Sequence, residues 1–164
     1  MRDRRCDMYD NIVVALDGSS LAEQVLPHVE ALAEKFGSRL TLVRALLPIE
    51  KLAALVEPSI AGVPVDPTLI ENTIETEEHE ARTYLEHVAN ALRQHGIRVD
   101  IEHPQGEAAE VILDCAQQTR ADLIALTTQG RSGFGRLVFG SVADAVLHKA
   151  PCPVLLVRST ATSS

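Results

Sequence analysis

Apolar residues along this chain fall alternately into short continuous runs and into longer stretches where they recur every three or four positions. Five short runs read as strands: residues 11–16, 39–44, 97–102, 122–126 and 153–157. Four of them are rich in Val, Ile or Leu with little polar alternation, the pattern of strands covered on both faces. Helical spacing separates the runs, and that alternation predicts a parallel α/β sheet.

Helix signals punctuate the intervening stretches. The first helix is expected to open at Ser20, with Glu23 completing a capping box and Gly37 supplying the stop. Its apolar face carries Ala22, Val25, Leu26, Val29, Leu32, Ala33 and Phe36, and Pro27 inside the pattern predicts a kink or a locally broken hydrogen bond. A second, longer helix is expected over 67–95, ended by Gly96, and a third over 107–119. A last one begins at Ser141, with Asp144 at the capping-box position, and ends before Pro151. The stretch 46–66 differs, with Pro48, Pro58, Gly62 and Pro64 around a short apolar run at 52–56 that would make one or two turns. A connection of that length covers a site as a lid, reaches a second subunit, or is disordered. Residues 1–8 and 159–164 read as frayed ends of a single domain whose ordered core spans about 9–158.

One loop carries candidate chemistry. Gly130, Gly133, Gly135 and Gly140 lie in the segment 127–141, which follows the apolar strand and runs into the last helix at Gly140-Ser141. Glycines let backbone N–H groups approach an anion with no Cβ in the way. The first turn of a helix adds unpaired N–H donors and the positive end of its dipole. The segment therefore points to a phosphate-bearing ligand, with Arg131 and Arg136 either neutralising phosphate charge or simply solvated. Right-handed crossovers restrict how five such strands wind. In a doubly wound sheet of order 3-2-1-4-5, with helices on both faces, the first and fourth strands are neighbours and ligands bind beyond their carboxyl ends. Those ends are Asp17-Gly18-Ser19 and the glycine segment, so a carboxylate and a phosphate cradle converge on one place. Asp17 would act on a ligand or hydrogen-bond nearby backbone, and Ser141 would serve a phosphate or cap its helix.

Composition narrows the rest. The 164-residue chain has no Trp, three Phe and two Tyr, so its core must be aliphatic. A formal charge of −8 argues against nucleic acid or an anionic membrane as partner, and no apolar run approaches the roughly 20 residues of a membrane span. Cys6, Cys115 and Cys152 are odd in number, widely spaced and without a Cys-x-x-Cys pair, which argues against a disulfide framework and a zinc site. Cys115 reads as a small buried apolar residue. Together with the absence of a secretory signal this points to a cytoplasmic protein. Enzyme templates are not met: the loop lacks a Gly-Lys-Ser/Thr ending and a Gly-x-Ser-x-Gly elbow. The six His residues are scattered, with His79 and His87 on an acidic helix read as a solvated face, so no catalytic residue or metal ligand is assigned.

The spacing Gly130, nine residues, Gly140-Ser141 resembles the loop of the universal stress protein family, and the likeness covers almost the whole chain. The opening Ile-Val-Val-Ala-Leu-Asp-Gly-Ser and the closing Ala-Pro-Cys-Pro-Val-Leu-Leu-Val are similar to that family's first and last strands. The resemblance implies a Rossmann-like fold that binds ATP or a related adenine nucleotide, with Mg2+ or Mn2+ carried on the phosphates. By motif position Asp17 would contact the ribose and main chain at Ala45 the adenine, while Gly130, Gly140 and Ser141 would hold the phosphates. Thr127 stands where the pattern has its first glycine, and Gln129 where a His is often found. A Cβ at Thr127 would crowd the ribose or α-phosphate, or its hydroxyl would donate a replacement hydrogen bond. The resemblance thus implies a nucleotide-dependent switch in stress response, a module of the same fold without nucleotide, or a slow nucleotide hydrolase. It also implies a homodimer through the last strand, which starts at Pro153, ends at Val157 and is expected at a sheet edge.

Overall fold

The computed structural model describes residues 8–56, 67–129 and 140–159. The strands are β1 (Asn11–Ala15), β2 (Arg39–Val43), β3 (Arg98–Glu102), β4 (Leu123–Gln129) and β5 (Val154–Ser159). The helices are α1 (Leu26–Phe36), α2 (Ile49–Val56), α3 (Pro67–Gln94), α4 (Ala108–Gln118) and α5 (Ser141–Lys149). All strand pairings are parallel and the order is β3-β2-β1-β4-β5, as the alternation of patterns predicts. The chain reverses direction of winding beside β1, and that reversal opens a crevice past the carboxyl ends of β1 and β4.

Strand residues alternate between two apolar layers because successive Cβ atoms leave opposite faces. Ile12, Val14, Leu40, Leu42, Leu123 and Ala125 pack with Val29 and Ala33 of α1 and Leu85, Val88, Ala89 and Leu92 of α3. Val13, Val43, Ile124 and Leu126 pack on the other side, with Val111, Ile112, Cys115 and Ala116 of α4 and Ala143 and Val146 of α5. Full burial of each such aliphatic side chain stabilises the fold by roughly 1.5–3 kcal/mol. Cys115 belongs to this layer, and burial, helped by the Glu102 charge, pushes its thiol up to about 11. The sheet is pinned at its amino end by Asp122, whose carboxylate accepts from the N–H groups of Asp10 at 2.8 Å and Asn11 at 3.3 Å.

Several local expectations are corrected. The first helical segment opens not at Ser20 but with a 3-10 turn, Ala22–Val25, whose entry is held by Ser19: its Oγ accepts from the Ala22 N–H at 3.1 Å. The Ser20–Glu23 capping box does not form, because the turn that caps the segment begins one residue earlier. Pro27 causes no kink within the helix: it sits in the first turn of α1, where a missing N–H breaks no helical bond. Gly140, not Ser141, is the N-cap of α5, and no side-chain capping bond is made there. Two strands outrun the apolar runs that announce them. β4 continues through Thr127, Thr128 and Gln129 and β5 through Arg158 and Ser159, in register as Thr127↔Val157, Thr128↔Arg158 and Gln129↔Ser159. Backbone pairing, indifferent to side-chain polarity, carries the ladder past the edge of the core. Ser159, expected in a frayed end, is buried. Within 46–66, the expected one or two turns are the eight residues of α2; 57–66 lie outside the described residues.

Candidate functional site

The crevice is a cleft of about 380 Å3, built from the ends of β1, β2 and β4, the start of α5 and, on its floor, Ala108 and Ile112 of α4. Each wall follows from where a strand runs out of partners. The Leu16 N–H still bonds the Val43 carbonyl at 2.9 Å, and beyond it the chain leaves the sheet at Asp17. Asp17 is exposed, and its Oδ1 accepts from the Ser19 N–H at 2.8 Å, closing an Asx turn. Among the described residues Oδ2 has no partner, so one carboxylate oxygen stays open to the cleft.

On β2 the amides alternate in direction. Arg44 donates to the Glu102 carbonyl at 3.0 Å and Leu46 to the Pro104 carbonyl at 3.0 Å, both toward the β3 side. The Ala45 N–H therefore points the opposite way, to where β1 has already ended. It lines the cleft and has no backbone acceptor among the described residues.

On β4, strand alternation puts Thr128 on the side of Ile124 and Leu126, facing the α4 and α5 layer, and Thr127 on the side of Leu123 and Ala125. Both threonines line the cleft, and Thr128 is buried. Opposite them α5 begins. Its N-cap Gly140 accepts the Asp144 N–H at 3.0 Å, which leaves the N–H groups of Ser141, Val142 and Ala143 as the orphan donors of the first turn. With Gly140 in the capping position, the Ser141 hydroxyl is free of that duty and exposed. Among the described residues, a Cβ added at Gly140 would meet no atom within 4 Å.

Behind the Asp17 turn stands a second polar group. The Arg44 guanidinium lies over the Tyr84 ring, 5.7 Å from its centroid. Burial, then Glu23 and Asp17, push the Tyr84 phenol well above its ordinary range, and Arg44 opposes them. The cleft thus has one carboxylate at Asp17, the Arg44 cation held on the Tyr84 ring, and amide donors at Ala45 and the start of α5.

The universal stress protein family model matches residues 8–158, nearly the whole chain. The chain belongs to the universal stress protein family. Among curated relatives, universal stress protein Sll1388 of Synechocystis is 32% identical over 152 residues, covering 92% of this chain and 98% of that one. Among solved structures, the protein MJ0577 superposes with a TM-score of 0.77 at 22% identity, covering 95% of this chain and 99% of that one. A universal stress protein from Archaeoglobus fulgidus, solved in complex with dAMP, superposes with a TM-score of 0.62 at 24% identity, covering 91% and 98%.

Of the residues singled out in the sequence, this universal stress protein brings Asp17, Ala45, Thr127, Gly140 and Ser141 to one cleft. Gly130, Arg131 and Arg136 lie outside the described residues. Thr127 is a strand residue, not the first residue of the loop. Sequence reasoning missed Thr128, which counting by twos from Ile124 and Leu126 would have placed on the cleft side. It also missed Arg44 and Tyr84, 40 positions apart, for which the chain holds no local signal.

Proposed function

We propose that this universal stress protein binds ATP or a related adenine nucleotide in the cleft between β1, β2, β4 and α5, as a cytoplasmic nucleotide-dependent switch in stress response. The observation that carries the reading is the convergence of an open carboxylate oxygen at Asp17, an unclaimed amide at Ala45 and the orphan amides of α5 on one space. That space, about 380 Å3, falls within the usual range of small-molecule sites. The relative crystallised with dAMP supports the choice of an adenine nucleotide.

In this reading Asp17 Oδ2 accepts from a ribose hydroxyl and the Ala45 main chain meets the base. The phosphates lie against the amides of Ser141, Val142 and Ala143, with Gly130 and Arg131 completing the cradle. Thr127 lines the cleft, and its hydroxyl would donate to the ribose or α-phosphate in place of the open space a glycine leaves. Mg2+ or Mn2+ would arrive on the phosphates and neutralise part of their charge. The described cleft holds one exposed carboxylate and no assigned general base, so binding changes conformation or partners and drives at most slow hydrolysis.

The chain is proposed to act as a single domain and as a homodimer. β5 stands at the edge of the sheet, and its apolar residues Val154, Leu155, Leu156 and Val157 are all only partly buried. That apolar edge equally supports the second reading, an interaction module of the same fold that needs no nucleotide. Equilibrium binding with labelled ATP and Mg2+ separates the two. Wild type should bind saturably and Asp17→Ala and Gly130→Val should both bind more weakly; no binding at millimolar nucleotide would leave the second reading standing.

A further inference from the structure

A second cluster lies at the other end of the sheet, where α1 and α3 approach the amino ends of the strands. Glu30 and Glu34 are one turn apart on α1, so they share a face of the helix. His95 follows the last residue of α3, in a turn fixed by two backbone bonds: His95 N–H to the Leu92 carbonyl at 3.1 Å and Gly96 N–H to the Arg93 carbonyl at 2.9 Å. That turn directs the imidazole at α1, and His95 Nδ1 contacts Glu30 Oε1. One ligand atom from each of the three residues lies within 4.8 Å of the other two.

Hydrogen bonding accounts for the Glu30–His95 contact but leaves Glu34 unexplained. Two carboxylates at this spacing repel each other. Among the described residues neither has a lysine or arginine at ion-pair distance. The cluster therefore sets two carboxylates beside one imidazole nitrogen, with no lysine or arginine among the described residues at ion-pair distance. We propose that Glu30, Glu34 and His95 form a binding site for a divalent transition-metal ion of the Zn2+ class.

The donor set fits that class: one imidazole and two carboxylates suit Zn2+ and its neighbours, whereas Mg2+ favours oxygen ligands alone. Ligands about 2.0–2.2 Å from one ion stand roughly 3–3.5 Å apart, within reach of small side-chain adjustments here. Three protein ligands on an exposed surface leave a fourth position for water, so this is an open site. The thiolate arrangement that the cysteine pattern argued against is not involved. Bound metal would tie α1 to the turn after α3, far from the nucleotide cleft, and raise stability without competing with ATP.

The test uses the full chain, freed of metal with a chelator and titrated with Zn2+ against a chromophoric competitor. One equivalent should bind, and His95→Ala and Glu34→Gln should each weaken binding at least about tenfold. The melting temperature should rise with Zn2+ in wild type but not in Glu34→Gln, and Mg2+ should not compete. Glu34→Gln leaves the His95–Glu30 contact in place, so it distinguishes a metal site from a simple ion pair. Absence of saturable binding in wild type would overturn the proposal, as would unchanged binding in Glu34→Gln.

Discussion

The Ser159 hydroxyl donates a 2.6 Å hydrogen bond to the Thr128 carbonyl, both residues buried, where β4 runs from β5 into the cleft wall. Thr128 is thus held to the edge strand by a side-chain bond as well as by the backbone ladder. Ser159→Ala should lower stability by about 1 kcal/mol, since it leaves a buried carbonyl short of one partner. Urea unfolding of wild type and variant measures this directly, and an unchanged midpoint would show that the bond contributes nothing.

Gly18 stands in the left-handed region at φ +87°, and a Cβ there would lie 3.1 Å from Arg44 Nη1. Gly18→Ala should cost about 1–2 kcal/mol through its backbone alone. Because the arginine can move aside, adding Arg44→Ala should recover only a minor part of that loss. The comparison of single and double variants by denaturant unfolding isolates the backbone contribution.

Asp17→Ala removes an exposed carboxylate from a turn, so its stability should change by less than about 1 kcal/mol. Its nucleotide affinity should fall roughly 10- to 100-fold, the loss expected for a hydrogen bond to a charged group. Calorimetric titration with ATP, paired with thermal unfolding, reads both quantities from one preparation.

Burial holds the Cys115 thiol protonated up to about 11, against an ordinary value of 9.0. Between those values the folded chain retains a proton that the unfolded chain has lost. This contribution to stability is therefore full below about pH 9 and disappears as the pH rises through 11. Cys115→Ala should show a shallower decline in stability between pH 8.5 and about 11 than wild type, measured by urea midpoints.

The sheet order and the position of the cleft were legible because continuous aliphatic runs mark strands covered on both faces, and because their alternation with helices permits few windings. Asp17 was legible as the residue just beyond the first run, and Gly140 as the glycine that opens the last helix. Element ends were less so. The Thr127-Thr128-Gln129 stretch looks like loop by composition, yet it pairs fully with β5 because backbone bonds do not depend on side-chain polarity. Likewise Ser20 had the right type for a cap, but the chain turns at Ser19. Contacts such as Glu30–His95 and Arg44–Tyr84 join residues far apart in sequence. They depend on how α1 and α3 lie on the sheet, which no local pattern encodes.

The most direct measurement is a backbone-amide NMR titration of the universal stress protein with ATP and Mg2+. Saturable shifts should concentrate at Ala45, Thr128, Ser141, Val142 and Ala143, with Asp17→Ala weakening all of them together. Shifts centred on another surface, or none at millimolar nucleotide, would contradict it.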